Sequence, residues 1–312
     1  MNIQQFNYIL AVVDERNFEL AAEKCFVTQS TLSTMIGRFE EEIGIRIFNR
    51  KTKPVSITPE GLEIIERLRI LSYEVDSLEN LVQELKGEMK GELKIGVIPT
   101  ISPYLMPLFL SDLANKFPKI KIIVKELTTP EIQKALKLRN IDIGILALPL
   151  NDEELLEVKL FEEPFLVFNY TEKKVSTKIA IDNLDYSNLW LLEEGHCLRA
   201  QVHQICELSK CTPMNKINFE FESGSMDSLL RFTKANKGMT IVPFLASIDL
   251  VKDELLNVIA FEDPVPVRSV GLITHKFFVK KRMLQELKQI IQMISAKYIP
   301  INENSKVFNP LN

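Results

Sequence analysis

From Ile64 to Leu85 apolar side chains recur in alternating steps of four and three: Ile64, Leu68, Leu71, Val75, Leu78, Val82 and Leu85. That spacing draws one narrow stripe along a helix, with glutamates beside it. Thr58-Pro59 opens the helix as a hydroxyl N-cap followed by proline at the first helical position. Three heptads of this kind predict pairing with a second helix, so residues 59–90 are expected to dimerise the chain. The same helix divides the 312 residues into a short N-terminal domain, 1–58, and a long C-terminal one, 91–312.

The N-terminal domain reads as short helices. Phe6, Leu10 and Val13 repeat at helical spacing, and Asn17 caps a helix over Phe18–Lys24. The turn Cys25-Phe26-Val27 leads to Thr28, the cap of a helix with Leu32, Ile36, Phe39 and Ile43 on its inner stripe. Gln29, Ser30, Thr31, Ser33, Thr34 and Arg38 face away from that stripe. Two helices joined by a tight turn, the second with small hydroxyl and amide side chains at its start, form a helix-turn-helix arrangement suited to base edges and phosphates. The net charge of −4 speaks against nucleic acid, but the average conceals a local pattern. Residues 43–58 hold Arg46, Arg50, Lys51 and Lys53 without one acid. A basic loop directly after such a helix pair predicts double-stranded DNA as the partner.

Past Gly91 the pattern changes to alternating strands and helices. Strands are expected at Leu93–Ile98, Ile120–Leu127 and Ile141–Leu148, with helices at Leu105–Phe117 and Pro130–Arg139. That βαβαβ order implies a parallel sheet covered on both faces. A second set follows, with strands near 164–170, 188–193, 217–222 and 239–243 and helices near 197–208 and 225–236. A strand at 267–274 and a helix at 281–296 complete it. Two α/β lobes with a ligand cleft between them are predicted. The chain is 46% hydrophobic and 26% charged, with four cysteines. That composition describes a globular protein without a disulfide framework. No apolar stretch approaches the ~20 residues of a membrane span, and the start lacks a secretory signal, which predicts a cytoplasmic protein without membrane contact.

Five linked segments carry a resemblance: Phe18-Glu-Leu-Ala-Ala22, Val27-Thr-Gln-Ser-Thr-Leu-Ser33, Phe39-Glu-Glu-Glu-Ile-Gly44, Phe48-Asn-Arg50 and Ile57-Thr-Pro-Glu-Gly61. Together they resemble the LysR-type transcriptional regulators, over nearly the whole chain. The resemblance implies an α/β protein with an N-terminal winged helix-turn-helix, a long dimerising linker helix and a C-terminal two-lobed regulatory domain like that of periplasmic binding proteins. It implies a regulator rather than an enzyme, dimeric and further assembled to a tetramer, with RNA polymerase as a partner. Ile98-Pro-Thr-Ile-Ser-Pro-Tyr-Leu-Met-Pro107 and Leu192-Glu-Glu-Gly-His-Cys-Leu-Arg199 are similar to the peroxide-sensing members. What that implies is a thiol switch: hydrogen peroxide oxidises Cys197, which then pairs with Cys206 and is later reset by a thiol reductant. Thr100 and Thr129 match hydroxyls placed against the peroxide, although Thr129-Pro130-Glu131 also reads as a helix cap. Where those members carry aspartate, this chain has Ala200.

Three of the four cysteines and two of the three histidines fall between 196 and 211. Cys197 lies where a helix should begin, and unpaired amides with the positive end of the helix dipole favour a thiolate there. Arg199, and His196 when protonated, would add to that, giving a low-pKa, accessible thiolate of the kind peroxide converts to sulfenic acid. Cys206 lies nine residues on, and in an unbroken helix that is a rise of about 13.5 Å to the opposite face. A disulfide needs Cα atoms within roughly 7 Å, so the helix would have to unwind first. Cys211 is an alternative resolving residue. Zinc held by His196, Cys197, His203, Cys206 and Cys211 lacks a Cys-x-x-Cys knuckle, and neither a metal nor a cofactor is expected. Inert buried thiols are the plain alternative for Cys206, and Cys25 reads as core. Two other functions compete: a regulator of the same build whose cleft binds a small metabolite, and a stand-alone thiol peroxidase, which would have no need of the helix-turn-helix.

Overall fold

A computed structural model describes residues 1–86, 89–171, 177–184, 186–208, 221 and 223–310. The chain divides into two compact units, Met1–Glu88 with Leu138–Asn140 and Met89–Lys137 with Ile141–Asn312.

In the first unit α1 (Ile3–Glu15), α2 (Phe18–Lys24) and α3 (Gln29–Ile43) each start on a side-chain cap. Asn2 accepts from the Gln5 amide, Asn17 from those of Glu19 and Leu20, and Thr28 from that of Thr31. The caps satisfy first-turn amides that have no partner inside the helix. Ile9, Val12, Ala21, Leu32, Ile36 and Phe39 close a small core. Two short antiparallel strands, β1 (Phe48–Asn49) and β2 (Ser56–Ile57), make the wing. One buried acid holds that wing to α3. The Glu40 carboxylate accepts from the amides of Ile47 at 2.8 Å and Phe48 at 3.2 Å, and from Arg46 Nη1 at 3.3 Å and Arg50 Nη2 at 3.2 Å.

The helix α4 (Pro59–Leu85) begins on Thr58, whose Oγ1 accepts from the Gly61 amide at 3.0 Å. A Cβ on Gly61 would meet the Ile47 carbonyl oxygen at 2.6 Å, so this approach of helix to wing requires glycine. The heptad stripe divides in two along its length. Leu68 is buried in the core of this unit and Ile64 packs against it, while Leu71, Leu78, Val82 and Leu85 are exposed. The first turns therefore serve the chain's own core, and the remainder is apolar surface.

The second unit opens with β3 (Gly91–Val97), α5 (Ser102–Lys116), β4 (Ile120–Glu126), α6 (Thr129–Lys137) and β5 (Ile143–Leu148). β3 lies between β4 and β5 and runs parallel to both, as the βαβαβ order requires. All six residues of β5 are buried, as expected of a strand covered on both faces. There follow β6 (Leu155–Asn169), β7 (Lys178–Ile179), α7 (Cys197–Leu208), α8 (Met226–Ala235), β8 (Met239–Pro243), α9 (Lys252–Leu255), β9 (Val258–Phe261), β10 (Val265–His275), α10 (Lys281–Tyr298) and β11 (Ser305–Val307). The sheet order is β4-β3-β5-β10-β6-β9-β7, with β11 beside β10 and β8 beside β6.

The sheet is thus mixed rather than parallel throughout. β10 pairs antiparallel with both β5 and β6, and β6 continues antiparallel to β8 and β9. The near end of β6 lies in one hydrophobic core with Leu105, Phe109, Ile145 and Leu287; its far end, Phe165–Phe168, lies in a second with Leu198, Ile205 and Ile241. These two cores are the two lobes. The strand expected at 188–193 is absent. Leu189 makes a single bridge to Met239, and Leu189, Trp190 and Leu192 are all buried. A segment buried on successive residues gives up the one-sided alternation of a half-exposed strand, and here it lies against β8 without joining a ladder. Most of the strand expected at 217–222, and Cys211, lie outside the described residues.

Replacing Glu40 by alanine leaves two buried amides and two guanidinium groups without their acceptor, which should cost about 3 kcal/mol. Hydrogen exchange at the Ile47 and Phe48 amides should accelerate by a factor of about a hundred, whereas Arg46→Ala, at an exposed partner, should leave it within a factor of about three.

Candidate functional site

Cys197 is the first residue of α7, at the helix N-terminus as its sequence context predicts. Its environment is different from the expected one. The side chain is only 6% exposed and belongs to the first lobe's core. Burial pushes the thiol above its ordinary value of 9.0; the Arg268 charge, the Thr129 hydroxyl and the amides of Cys197 and Leu198 act in the opposite direction. The resting residue is a protonated thiol held among groups that favour its anion, not an exposed thiolate. Desolvation outweighs the helix terminus here.

The cation beside the sulfur is also not the one predicted. Arg199 Nη1 donates to the Leu192 carbonyl at 2.8 Å, and His196 Nε2 lies 3.7 Å from Glu193. The charge comes instead from Arg268, seventy-one residues along the chain and fully buried on β10. Its Nε and Nη2 each lie 2.8 Å from Glu163 Oε2 on β6. Its Nη1 donates to Thr100 Oγ1 at 2.9 Å and its Nη2 to the Thr100 carbonyl at 3.2 Å. Arg268 and Glu163 face each other across the β6–β10 ladder. A signal for this pair exists in the sequence: Val265–His275 carries one arginine among apolar neighbours, and a charge in a strand buried on both faces needs a partner.

Thr100 and Thr129 are both buried, and they come together at the sulfur by different routes: Thr100 through Arg268, Thr129 directly. Thr129 does not cap α6. The Thr128 amide and hydroxyl both donate to Glu131 Oε2 at 2.8 Å, so the neighbouring threonine closes the helix start. That frees the Thr129 oxygen, which is buried without a nitrogen or oxygen partner among the described residues and acts on the Cys197 sulfur.

Cys206 occupies the tenth position of α7, buried in the second lobe's core. Cys197 and Cys206 both carry thiols, and α7 is unbroken between them. Their Cα atoms are therefore about 13.5 Å apart along the axis, beyond the roughly 7 Å of a disulfide. Cys25, at the end of α2, is half-buried. No group of three or more metal-ligating side chains occurs among the described residues.

On the N-terminal unit Gln29, Ser30, Thr31, Thr34 and Arg38 are exposed along α3. Lys51 and Lys53 are exposed on the wing. Thr28 Oγ1 lies 2.9 Å from Ser30 Oγ and 2.8 Å from Thr31 Oγ1, so the cap orders the hydroxyls at the helix start. Ser33 and Arg50 are less free: Arg50 Nη1 donates to Ser33 Oγ at 2.7 Å, Nη2 reaches Glu40, and the guanidinium lies 5.0 Å above the Phe18 ring.

This build matches known proteins. Residues 3–62 match the bacterial regulatory helix-turn-helix proteins of the lysR family, and residues 86–293 match the LysR substrate binding domain. The chain belongs to the LysR family. Members of this family are DNA-binding transcriptional regulators and not enzymes. The chain is 31% identical over 276 residues to a hydrogen peroxide-inducible genes activator of Dickeya chrysanthemi, covering 88% of this chain and 89% of that one. It is 31% identical over 275 residues to the DNA-binding transcriptional dual regulator OxyR of Escherichia coli K12, with the same coverage. A full-length OxyR variant of Pseudomonas aeruginosa superimposes with a TM-score of 0.77 at 28% identity, covering 94% of this chain and 98% of that one. The LysR architecture thus accounts for both units. No helix among the described residues is long and apolar enough to cross a membrane.

The buried thiol has a consequence for stability. Its folded-state pKa lies above the unfolded one, so the protonated form favours the fold below about pH 9, and that contribution is lost as pH rises through the folded value. Melting temperature should therefore fall more steeply above about pH 9 in the wild type than in Cys197→Ser; parallel curves would mean the sulfur is not desolvated.

Proposed function

We propose that this LysR regulator senses hydrogen peroxide through Cys197 and resolves the oxidised sulfur with Cys206. The observation that carries the reading is the Cys197 site itself: a buried sulfur at a helix N-terminus, flanked by the Arg268 charge and by a Thr129 hydroxyl with no nitrogen or oxygen partner among the described residues. A hydroxyl that can both donate and accept suits a small polar oxidant with the same ability. Thr100 joins the site through Arg268, whereas His196 and Arg199, expected beside the peroxide, face Glu193 and the Leu192 carbonyl. The thiolate attacks one peroxide oxygen, the O–O bond breaks, and the departing hydroxide takes a proton to become water, leaving a sulfenic acid on Cys197. The Cys206 thiol then attacks that sulfur, a second water leaves, and a disulfide remains. Cys211 is the alternative second thiol. The likeness to peroxide-inducible activators and to OxyR supports this reading.

The second step requires α7 to unwind, because the two Cα atoms lie about 13.5 Å apart along the axis of one helix. Remodelling of α7 changes the surface of the regulatory domain and with it the contacts between dimers in a tetramer. Domain limits of 1–58, 59–90 and 91–312 assign DNA binding, dimerisation through the exposed part of the Ile64–Leu85 stripe, and sensing. Gln29, Ser30, Thr31 and Thr34 read base edges; Arg38, Arg50, Lys51 and Lys53 meet phosphates, with Ser33 at the same face holding Arg50. RNA polymerase is the partner in transcription, and a cytoplasmic thiol reductant resets the switch.

Non-reducing peptide mapping after stoichiometric hydrogen peroxide should show a Cys197–Cys206 linkage in the wild type and none in Cys197→Ser. A Cys197–Cys211 linkage would move the resolving role. Thiols that stay reduced would overturn the sensor and leave a metabolite in the cleft as the signal. On DNA, Lys51→Ala should weaken binding to all sequences and reduce the salt slope by about 1, whereas Thr31→Ala should relax discrimination between operators.

A further inference from the structure

Glu163 has no place in the chemistry above, yet it is the most completely enclosed acid among the described residues of the second unit, and one of its oxygens is given to Arg268. Its side chain is fully buried. One carboxylate oxygen takes both Arg268 contacts at 2.8 Å. The other accepts from the Leu245 amide, also at 2.8 Å, at the start of the short helical turn Phe244–Ser247. Arg268 in turn is fixed on its other edge by both Thr100 oxygens. The guanidinium therefore has one position, set between a carboxylate on β6 and the loop after β3. A buried arginine acts on a neighbouring sulfur through its net field, and that field is the arginine charge reduced by whatever anion is paired with it.

We propose that Glu163 is a positioning residue of the thiol site, fixing the Arg268 guanidinium between β6 and the Thr100 loop and offsetting the charge that it presents to Cys197. The proposal rests on the peroxide-sensing reading for its purpose but not for its measurement. Tyr104, on α5, is pushed up to about 12, chiefly by burial, with Asp227 and Asp249 adding to the shift. His196 faces Glu193 at 3.7 Å on the cysteine's own side.

The proposal predicts opposite effects for two conservative changes. Glu163→Gln keeps an acceptor for Arg268 but removes the anion, so the arginine field at the sulfur strengthens. The ultraviolet absorbance of the Cys197 thiolate, taken as the difference from the matching Cys197→Ser chain, should titrate about one pH unit lower than in the wild type. Glu163→Asp keeps the anion but withdraws it by one methylene, drawing Arg268 away from Thr100, and the same titration should move to higher pH. Both full-length variants should oxidise with peroxide in step with their thiolate content. A purely structural glutamate would lower the melting temperature of both variants and leave both titrations at the wild-type value, which would overturn the proposal. Should Glu163→Gln fail to fold, the upward shift of Glu163→Asp decides alone. A wild-type thiolate that titrates but ignores peroxide would defeat the sensor reading and leave this one standing.

Discussion

The regulatory unit is organised around one ion pair. β6 and β10 are the long strands at the middle of the sheet, and at the point where they face each other they carry Glu163 and Arg268, both without solvent contact. A buried pair of this kind gains little stability over apolar side chains of the same size, and losing either partner alone leaves an uncompensated charge that costs several kcal/mol. Its value lies in specification. The guanidinium ties together β6, β10 and the Thr100 loop, the carboxylate adds the turn at Leu245, and the charge acts on Cys197 at the start of α7. Five segments far apart in sequence are thereby placed by one cluster, and the same bonds fix the charge that opposes burial at the thiol.

That arrangement explains how a sulfur can be both quiet and poised. Burial keeps it protonated, which withholds it from the slow, indiscriminate reactions of an exposed thiolate. The groups that favour the anion, a helix N-terminus, a fixed guanidinium and a buried hydroxyl, are already in place and need no reorganisation for the sulfur to ionise. The Thr128–Glu131 cap is part of this, because it relieves Thr129 of the duty at the start of α6 and turns its hydroxyl over to the sulfur.

What the sequence made legible follows from range. Caps at Asn17, Thr28 and Thr58, the stripe Leu32–Ile36–Phe39, and the βαβαβ order are local patterns, and each is realised within three residues of its expected limits. The N-terminal place of Cys197 in α7 and the unbroken helix to Cys206 belong to the same class. The failures are long-range or depend on burial. Arg268 and Glu163 are 105 residues apart, so nothing in local spacing links them, although a lone arginine in an apolar strand announces that it must be paired. Burial of Cys197 depends on a core assembled from β3, α5, β5 and α10, and so its protonation could not be read from its neighbours Glu193, His196 and Arg199. The segment at 188–193 has strand composition but lies against β8 through one bridge, because pairing there is decided by the partner's edge and not by the segment.

The helix that bears the two thiols is also tied down at a third place. Gln201, fully buried, donates to the Phe308 carbonyl at 2.8 Å, and Gln204 donates to that of Asn309 at 3.2 Å. Phe308 is itself buried in the second core, and its amide donates to Val267, the residue before Arg268. Any path that brings Cys197 to Cys206 must break helical hydrogen bonds of α7 and withdraw at least one sulfur from its core, and it must also disturb the glutamine bonds to the C-terminal segment. Each such bond is worth about 1 kcal/mol net, and extracting a buried cysteine costs a similar amount per group. These costs are local and small, so α7 is held by contacts that a chemical change at one sulfur is able to overcome.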